Sequence, residues 1–413
     1  MNDVLIPVQQ VKTDHKRPLL LDLCRLQSST MPQVLAQAAE LLYQRAATMQ
    51  PLCLDRFVDW FSFHLSNFGF RWSWNDWKDC LTADRWDVKR IFASEVIERC
   101  RRLSYYGQLK EFLPKSFAPM IPPPPDVICK YDDESVPGYE IACKFVSLIQ
   151  SRADDSMIIS EIRDVDGNYD PEVLMKTSAK SFSHTFVALT RYNLTLKTVA
   201  DTSDEMQEIL LRTLFQCWRN NYLRIVILVD KMLKMQILDC GVVISWIFGD
   251  SLRGETHKQW KWEVLNTALE RLSRHIHKVA HDVQILQKRV KHQRIGNDEE
   301  MEDLDVKSRE QEELEQQKEK LENLKDFQKS LFLDVLHKFT VLLTEYIVHC
   351  ETEGTDFRTP YFSWIKGRFK QIFLMHGADL HEFTEDLRRE LFSSSDIDLN
   401  VLEIFHQFVA LRS

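Results

Sequence analysis

Eight apolar residues, Leu265, Leu269, Leu272, Ile276, Val279, Val283, Leu286 and Val290, follow one another at intervals of 4, 3, 4, 3, 4, 3 and 4. That heptad spacing puts all of them on one stripe of an α-helix, and a stripe of that length is buried only by a second helix lying along it. A second run, Leu314, Gln317, Leu321, Leu324, Gln328, Leu331 and Val335, keeps the same register with two polar positions. Between them stands Ile295-Gly296-Asn297-Asp298-Glu299-Glu300, a turn signal followed by acid. The spacing predicts an antiparallel helical hairpin over residues 258–349 that closes at Gly296-Asn297. At 1.5 Å per residue each arm is on the order of 40 Å long. The first arm ends basic (Lys288, Arg289, Lys291, His292, Arg294) and the second begins acidic, so folding back pairs opposite charges near the tip. A dimeric coiled coil is disfavoured because the seam reverses at the turn.

The remainder of the chain also reads as helix. Eleven glycines stand where average usage at this length gives roughly thirty, which disfavours strands and phosphate-binding loops. Pro32 belongs near the first turn of a helix that carries Val34, Leu35, Ala38, Leu41 and Leu42 on one face. Phe57, Val58, Phe61 and Leu65 are in helical register around 55–68, and helix-length patterns recur around 88–104, 139–151, 172–199, 205–219 and 222–248. The expected fold class is all-α, a HEAT-like solenoid of antiparallel helix pairs with a protruding coiled-coil hairpin. Ile121 followed by Pro122-Pro123-Pro124-Pro125 must run extended at the surface. Asp164–Pro171 reads as an acidic loop, and a domain boundary is placed near 150, giving helical domains 1–150 and 151–413.

Several function classes are disfavoured. The formal charge of −9 leaves no overall footprint for nucleic-acid phosphates, although a polyanion could reach a local basic patch. The nine cysteines are scattered singly, as reduced thiols of an intracellular protein would be, and no run suits a membrane span or a signal peptide. No phosphate loop, dinucleotide fingerprint or nucleophile elbow occurs. Ser183-His184 are chain neighbours on an expected helix, so their side chains diverge. His277 and His281 have the i, i+4 spacing of metal ligands but fall on the outer hairpin face with nothing to complete a site. The Glu/Lys-rich run 307–325 is a solvated coiled-coil face. No enzyme activity, catalytic residue, cofactor, metal or small-molecule substrate is expected.

The most unusual segment is Asn67-Phe68-Gly69-Phe70-Arg71-Trp72-Ser73-Trp74-Asn75-Asp76-Trp77. It admits three readings. Its rings could fill the core of a helical corner capped by Ser73 or Asn75. Asn67, Phe70, Arg71, Trp72, Trp74 and Asp76 could form a partner-binding hot spot, for which Trp and Arg are enriched. Two rings and a carboxylate could also sandwich a methylated guanine. On residue types alone, the structural reading leads and the cap pocket comes last.

The same residues carry a resemblance. His64-Leu65-Ser66-Asn67-Phe68 and Phe70-Arg71-Trp72-Ser73-Trp74 resemble the middle domain of the large subunit of the nuclear cap-binding complex. So do Asp14-His15-Lys16-Arg17-Pro18, Met31-Pro32-Gln33-Val34-Leu35-Ala36-Gln37-Ala38, Ala179-Lys180-Ser181-Phe182-Ser183-His184 and Leu228-Val229-Asp230-Lys231-Met232. Ser245-Trp246-Ile247-Phe248, Leu343-Thr344-Glu345 and Cys350-Glu351-Thr352-Glu353-Gly354-Thr355 extend it in order along nearly the whole chain.

The resemblance implies three stacked helical domains similar to the middle domain of translation initiation factor four-gamma, with a coiled-coil hairpin on the third. It implies an obligate small subunit of RNA-recognition fold, which holds the 7-methylguanosine cap and docks on the second and third domains. Capped RNA is then reached only through that subunit. The complex would serve splicing, export, 3′-end processing, nonsense-mediated decay and RNA silencing, in a nucleus with cytoplasmic shuttling. The sequence departs from the family by starting near its second domain, so the first domain and a basic import segment are not expected here. The acidic loop and the hairpin tip also read as shorter. The alternative is a stand-alone helical RNA-binding or translation-type scaffold.

Overall fold

A computed structural model describes residues 16–26, 30–164, 187, 189–201, 203–295, 304–393 and 397–411. Among them the regular structure is helical, with no strand. In chain order the α-helices are α1 (Lys16–Arg25), α2 (Met31–Gln44), α3 (Pro51–Asn67), α4 (Asp79–Thr82), α5 (Val88–Leu103), α6 (Tyr106–Phe112), α7 (Tyr139–Gln150) and α8 (Asp155–Asp164). They continue with α9 (Asn193–Ala200), α10 (Asp204–Trp218), α11 (Tyr222–Lys234), α12 (Cys240–Phe248), α13 (Gln259–Ile295) and α14 (Leu304–Glu353). The last three are α15 (Pro360–Glu382), α16 (Thr384–Glu390) and α17 (Leu399–Ala410). They pack as two compact units, Val8–Leu265 with Arg358–Arg368, and Asn266–Phe357 with Phe369–Ser413.

In the first unit α3 starts at Pro51, whose missing N–H costs nothing at a helix N-terminus, and buries Phe57, Val58, Phe61 and Leu65 as their spacing predicts. Helix α5 packs on it, with the rings of Phe57 and Phe92 stacked 4.3 Å apart. Asp87 caps α5 by accepting from the amides of Lys89 and Arg90. The apolar face expected of α2 is corrected by the structure. Val34 and Leu41 are 52% and 54% exposed, and the helix buries Ala39 and Tyr43 instead. Tyr43 decides the orientation, because its ring stacks on Trp77 at 4.3 Å and its hydroxyl donates to Asp79 at 2.6 Å.

The pattern read as one helix over 222–248 is two. Gln236 takes φ = 56°, and the amides of Gln236 and Ile237 turn back onto the carbonyls of Leu233 and Met232, which ends α11. Helices α10, α11 and α12 bury Leu210, Leu214, Ile225, Leu228, Ile244 and Ile247. Gln207 on α10 clamps the start of α12 by donating to Asp239 Oδ2 at 3.1 Å and accepting from its amide at 2.8 Å. The proline run is extended and exposed from Pro123 to Asp126, as required. Most of the acidic loop at 164–171 and all of Ser183-His184 lie outside the described residues.

In the second unit the hairpin arms are α13 and α14, and both run beyond the seam. Their 37 and 50 residues correspond to about 55 and 75 Å, longer than the 40 Å read from the heptads. Part of the extra length of α14 lies beyond Val335, where Leu336, Phe339, Leu343 and Ile347 continue its buried face. Seam residues of the two arms share one core. Val279, Val283 and Val290 pack with Leu314, and Leu286, Leu321 and Leu324 border them. Gln328, a polar seam position, is buried and donates to Ser273 Oγ at 2.9 Å. Gln328 follows Leu314 on α14, whereas its partner Ser273 precedes on α13 every residue of the cluster that Leu314 joins, so the arms are antiparallel. Ser273 in turn donates to Asp379 on α15, which keeps the buried amide within a satisfied chain of polar groups. The expected closing turn at Gly296-Asn297 lies outside the described residues.

Candidate functional site

The aromatic corner follows α3. The chain turns sharply after Asn67 because Gly69 and Phe70 both take positive φ, 64° and 58°. Glycine does so without steric cost; Phe70 does so while its ring is anchored on Phe112, stacked at 4.9 Å. A short 3₁₀ turn, Trp74–Trp77, follows and leads into α4. Trp77 is fully buried against Tyr43, Phe61, Trp72, Trp74 and Phe92, and its indole N–H donates to Glu40 at 2.7 Å. Trp74 is 1% exposed, edge-on to Phe117 and Trp77.

The six residues singled out from sequence are therefore split. Phe70 and Trp74 are buried in the corner's core. Trp72 is half-buried, edge-on to Phe61 at 4.8 Å, and Asn67 is half-buried with its amide donating to the Phe63 carbonyl. Arg71 and Asp76 are exposed. A methylguanine sandwich needs two parallel rings with an open slot between them, and the buried edge-on packing of Trp74 offers none. What the corner presents to a binder is a guanidinium, a carboxylate and one half-buried indole.

Residues that sequence reasoning passed over lie on α5 and at the start of α13. Glu98 accepts from Arg101 at 2.8 Å, while Glu263 accepts from Arg102 at 3.2 Å and also pairs with Arg99. Burial opposes ionisation of Glu263, but the guanidinium groups of Arg102 and Arg99 outweigh it and hold the carboxyl below its ordinary range. Arg101 also donates to the carbonyls of Pro123 and Asn220, tying the extended proline segment and the α10–α11 turn to α5. Glu95 is buried and accepts from the Gln259 amide at 3.0 Å, which satisfies one of the free N–H groups at the start of α13. Burial pushes its carboxyl up to about 7. A cavity of about 350 Å³ opens beside these carboxylates, bordered by Pro122, Tyr222, His257 and Lys258. Burial lowers His257 to about 4, so the ring is neutral at pH 7. Arg368 closes the set with a bidentate pair to Asp55 and its guanidinium 4.5 Å above the Trp364 ring. The sequence signal was Glu95-x-x-Glu98-Arg99-x-Arg101-Arg102, acids followed by arginines one helical turn later. Nothing in that spacing marks the side of the helix that is buried.

This constellation is a framework of buried and half-buried ion pairs. Among the described residues no group of three or more His, Cys, Asp or Glu side chains is placed to hold a metal, and no helix is long and apolar enough to cross a membrane. All nine cysteines are free thiols.

Comparison with known proteins gives the framework its place. Two family models described as MIF4G like match residues 4–115 and 129–382, the second alone covering more than half of the chain. The chain belongs to the MIF4G-like family. Nuclear cap-binding protein subunit 1 of Gallus gallus is 38% identical over 419 residues, and that of Homo sapiens is 37% identical over 418. The protein of the same name from Xenopus tropicalis is 36% identical over 419 residues. Each alignment takes in 96% of this chain and 53% of the relative, so the chain spans about half the length of these curated relatives. The MIF4G-like match agrees with the all-α architecture, and the resemblance read from the strings around Trp72 and Met31 is a true homology. These three relatives carry the name of a cap-binding subunit.

Proposed function

We propose that this MIF4G-like chain is a scaffold subunit of the nuclear cap-binding complex. On this reading it binds and stabilises a small subunit of RNA-recognition fold, which holds the 7-methylguanosine cap. The observation that carries the reading is the similarity to nuclear cap-binding protein subunit 1 over 96% of the chain. Residues 1–150 and 151–413 are the two helical-solenoid domains of the scaffold, and capped RNA, splicing, export, decay and silencing factors reach it as part of the assembled complex. Its place of action is the nucleus, with shuttling to the cytoplasm. The exposed Arg71 and Asp76 with the half-buried Trp72 are the partner-facing part of the corner, while Phe70 and Trp74 hold them in position from below and Asn67 ends α3 behind them. Support comes from the chemistry of this set, an arginine and an indole on a sharp turn being well suited to a protein interface.

The test is calorimetry with cap analogue on the chain alone and on the chain reconstituted with a cap-binding small subunit. The scaffold reading expects no heat of binding for the chain alone and tight binding for the pair. Cap binding by the isolated chain, lost on Trp72→Ala, would overturn it.

A further inference from the structure

The two hairpin arms treat their solvent faces differently. On α14 the exposed charges are interleaved and paired one turn apart, as in Lys318 with Glu315 at 2.8 Å, Lys329 with Asp326 at 3.5 Å and Lys338 with Asp334 at 3.6 Å. On α13 the positions pointing away from the seam between 274 and 291 include Arg274, His277, Lys278, His281, Lys288 and Lys291, all exposed. The two other outward positions are Gln284 and Ile285, and the single carboxylate in that stretch, Asp282, stands beside the seam. Among the described residues Arg274, Lys278, His281 and Lys291 pair with no carboxylate, and His277 reaches Asp379 at 3.5 Å. Like charges at i, i+3 and i+4 disfavour a helix, so a face of this kind runs against the chain's overall charge of −9 and against the helix's own stability.

We infer that the outer face of α13 binds single-stranded RNA through its phosphate backbone, independently of sequence and of the cap. The stripe from Arg274 to Lys291 is about 26 Å long at 1.5 Å per residue, with Arg274 and Lys278 one turn apart at one end, Lys288 and Lys291 one turn apart at the other, and two histidines near the first pair. Two pairs of like charge set along one face suit an extended polyanion. A protein partner would need an apolar centre with aromatic anchors, and the stripe offers only Ile285. It offers no ring for base stacking either, so contact stays on the backbone and carries no sequence information. The inference deepens the proposed function by giving the RNA body beyond the cap a second point of contact, but the binding itself needs neither cap nor small subunit.

The experiment titrates the full chain into a fluorescent uncapped oligouridine over a series of salt concentrations, read by anisotropy. With four to five phosphate contacts, log affinity should fall against log salt with a slope of about −3. Lys278→Gln with Lys291→Gln should make that slope shallower by about 1.4 and weaken binding roughly 25-fold at 0.1 M salt. Lys318→Gln with Lys320→Gln, the same loss of charge on α14, should leave both unchanged. Absence of salt-dependent binding by the parent chain overturns the inference. So does equal binding by the α13 variant, equal weakening by the α14 control, or a polyglutamate peptide that competes as well as RNA. A chain that still captures the small subunit while failing these tests removes this inference alone and leaves the scaffold reading in place.

Discussion

Replacing Trp74 by Ala should cost the first unit about 3–5 kcal/mol, whereas Arg71→Ala, three residues away, should cost within about 0.5 kcal/mol. The indole of Trp74 is 1% exposed and faces Phe112, Phe117 and Trp77. Burying roughly 200 Å² of ring at about 25 cal/mol per Å² gives about 5 kcal/mol, an upper figure because unfolded chains already hide part of that surface. Its indole N–H has no hydrogen-bond partner among the described residues, so the loss is one of packing and cavity formation. Arg71 is exposed, and its removal leaves no buried group unpaired. Equilibrium urea unfolding followed by circular dichroism measures both, provided the slope against denaturant is unchanged. A Trp74→Ala cost under about 1 kcal/mol would refute the buried corner, because a substituted core tryptophan has no route to so small an effect.

Three further outcomes follow from the same structure. Ile276→Asp with Val283→Asp places two unpaired charges in the seam between α13 and α14 and should separate the arms; protease resistance of the hairpin equal to that of the parent would remove the seam assignment. Glu95 has its carboxyl raised by burial from 4.5 to about 7, so between those values the folded chain binds more protons than the unfolded one and stability falls as pH rises. Glu95→Gln should abolish that fall while keeping an acceptor for the Gln259 amide, and urea midpoints with the same pH slope as the parent would contradict it. In the native chain Cys53 and Cys143 should react fast with a thiol reagent and Cys80 and Cys100 slowly, since burial pushes the latter two up to about 11 and about 12; nine thiols react after denaturation without reductant, and a lower count would reveal a disulfide.

The elements that were legible in the sequence are those where period and burial coincide. The seam from Leu265 to Val290 and the face of α3 from Phe57 to Leu65 were read correctly, because a long apolar stripe has only one way to leave water. Helix α2 misled because Val34, Leu41 and Leu42 of its apolar stripe are left in solvent, while the residue that orients it, Tyr43, is held by partners thirty-four and thirty-six residues away. The break between α11 and α12 was hidden since Gln236 adopts a left-handed conformation without a glycine to announce it. In the aromatic corner, composition named the residues but could not separate buried Trp74 from exposed Arg71, which only the positive φ at Gly69 and Phe70 decides. The Glu98–Arg101 and Glu263–Arg99–Arg102 pairs were passed over, because their spacing alone does not mark the face of α5 that is buried.

The scaffold claim is tested most directly by the affinity of this chain for a cap-binding small subunit, measured with and without cap analogue. If the scaffold stabilises the partner's cap-bound form, the two binding events are linked, and each must strengthen the other by the same factor. A coupling of about 1–3 kcal/mol corresponds to a 5- to 150-fold gain in subunit affinity when cap analogue is present. The predicted result is a stable pair that tightens with cap analogue and loosens when Arg71 and Asp76 are replaced by Ala. No detectable pair, or one whose affinity ignores the cap, would contradict the scaffold reading; an intact pair after both replacements would move the contact away from the aromatic corner.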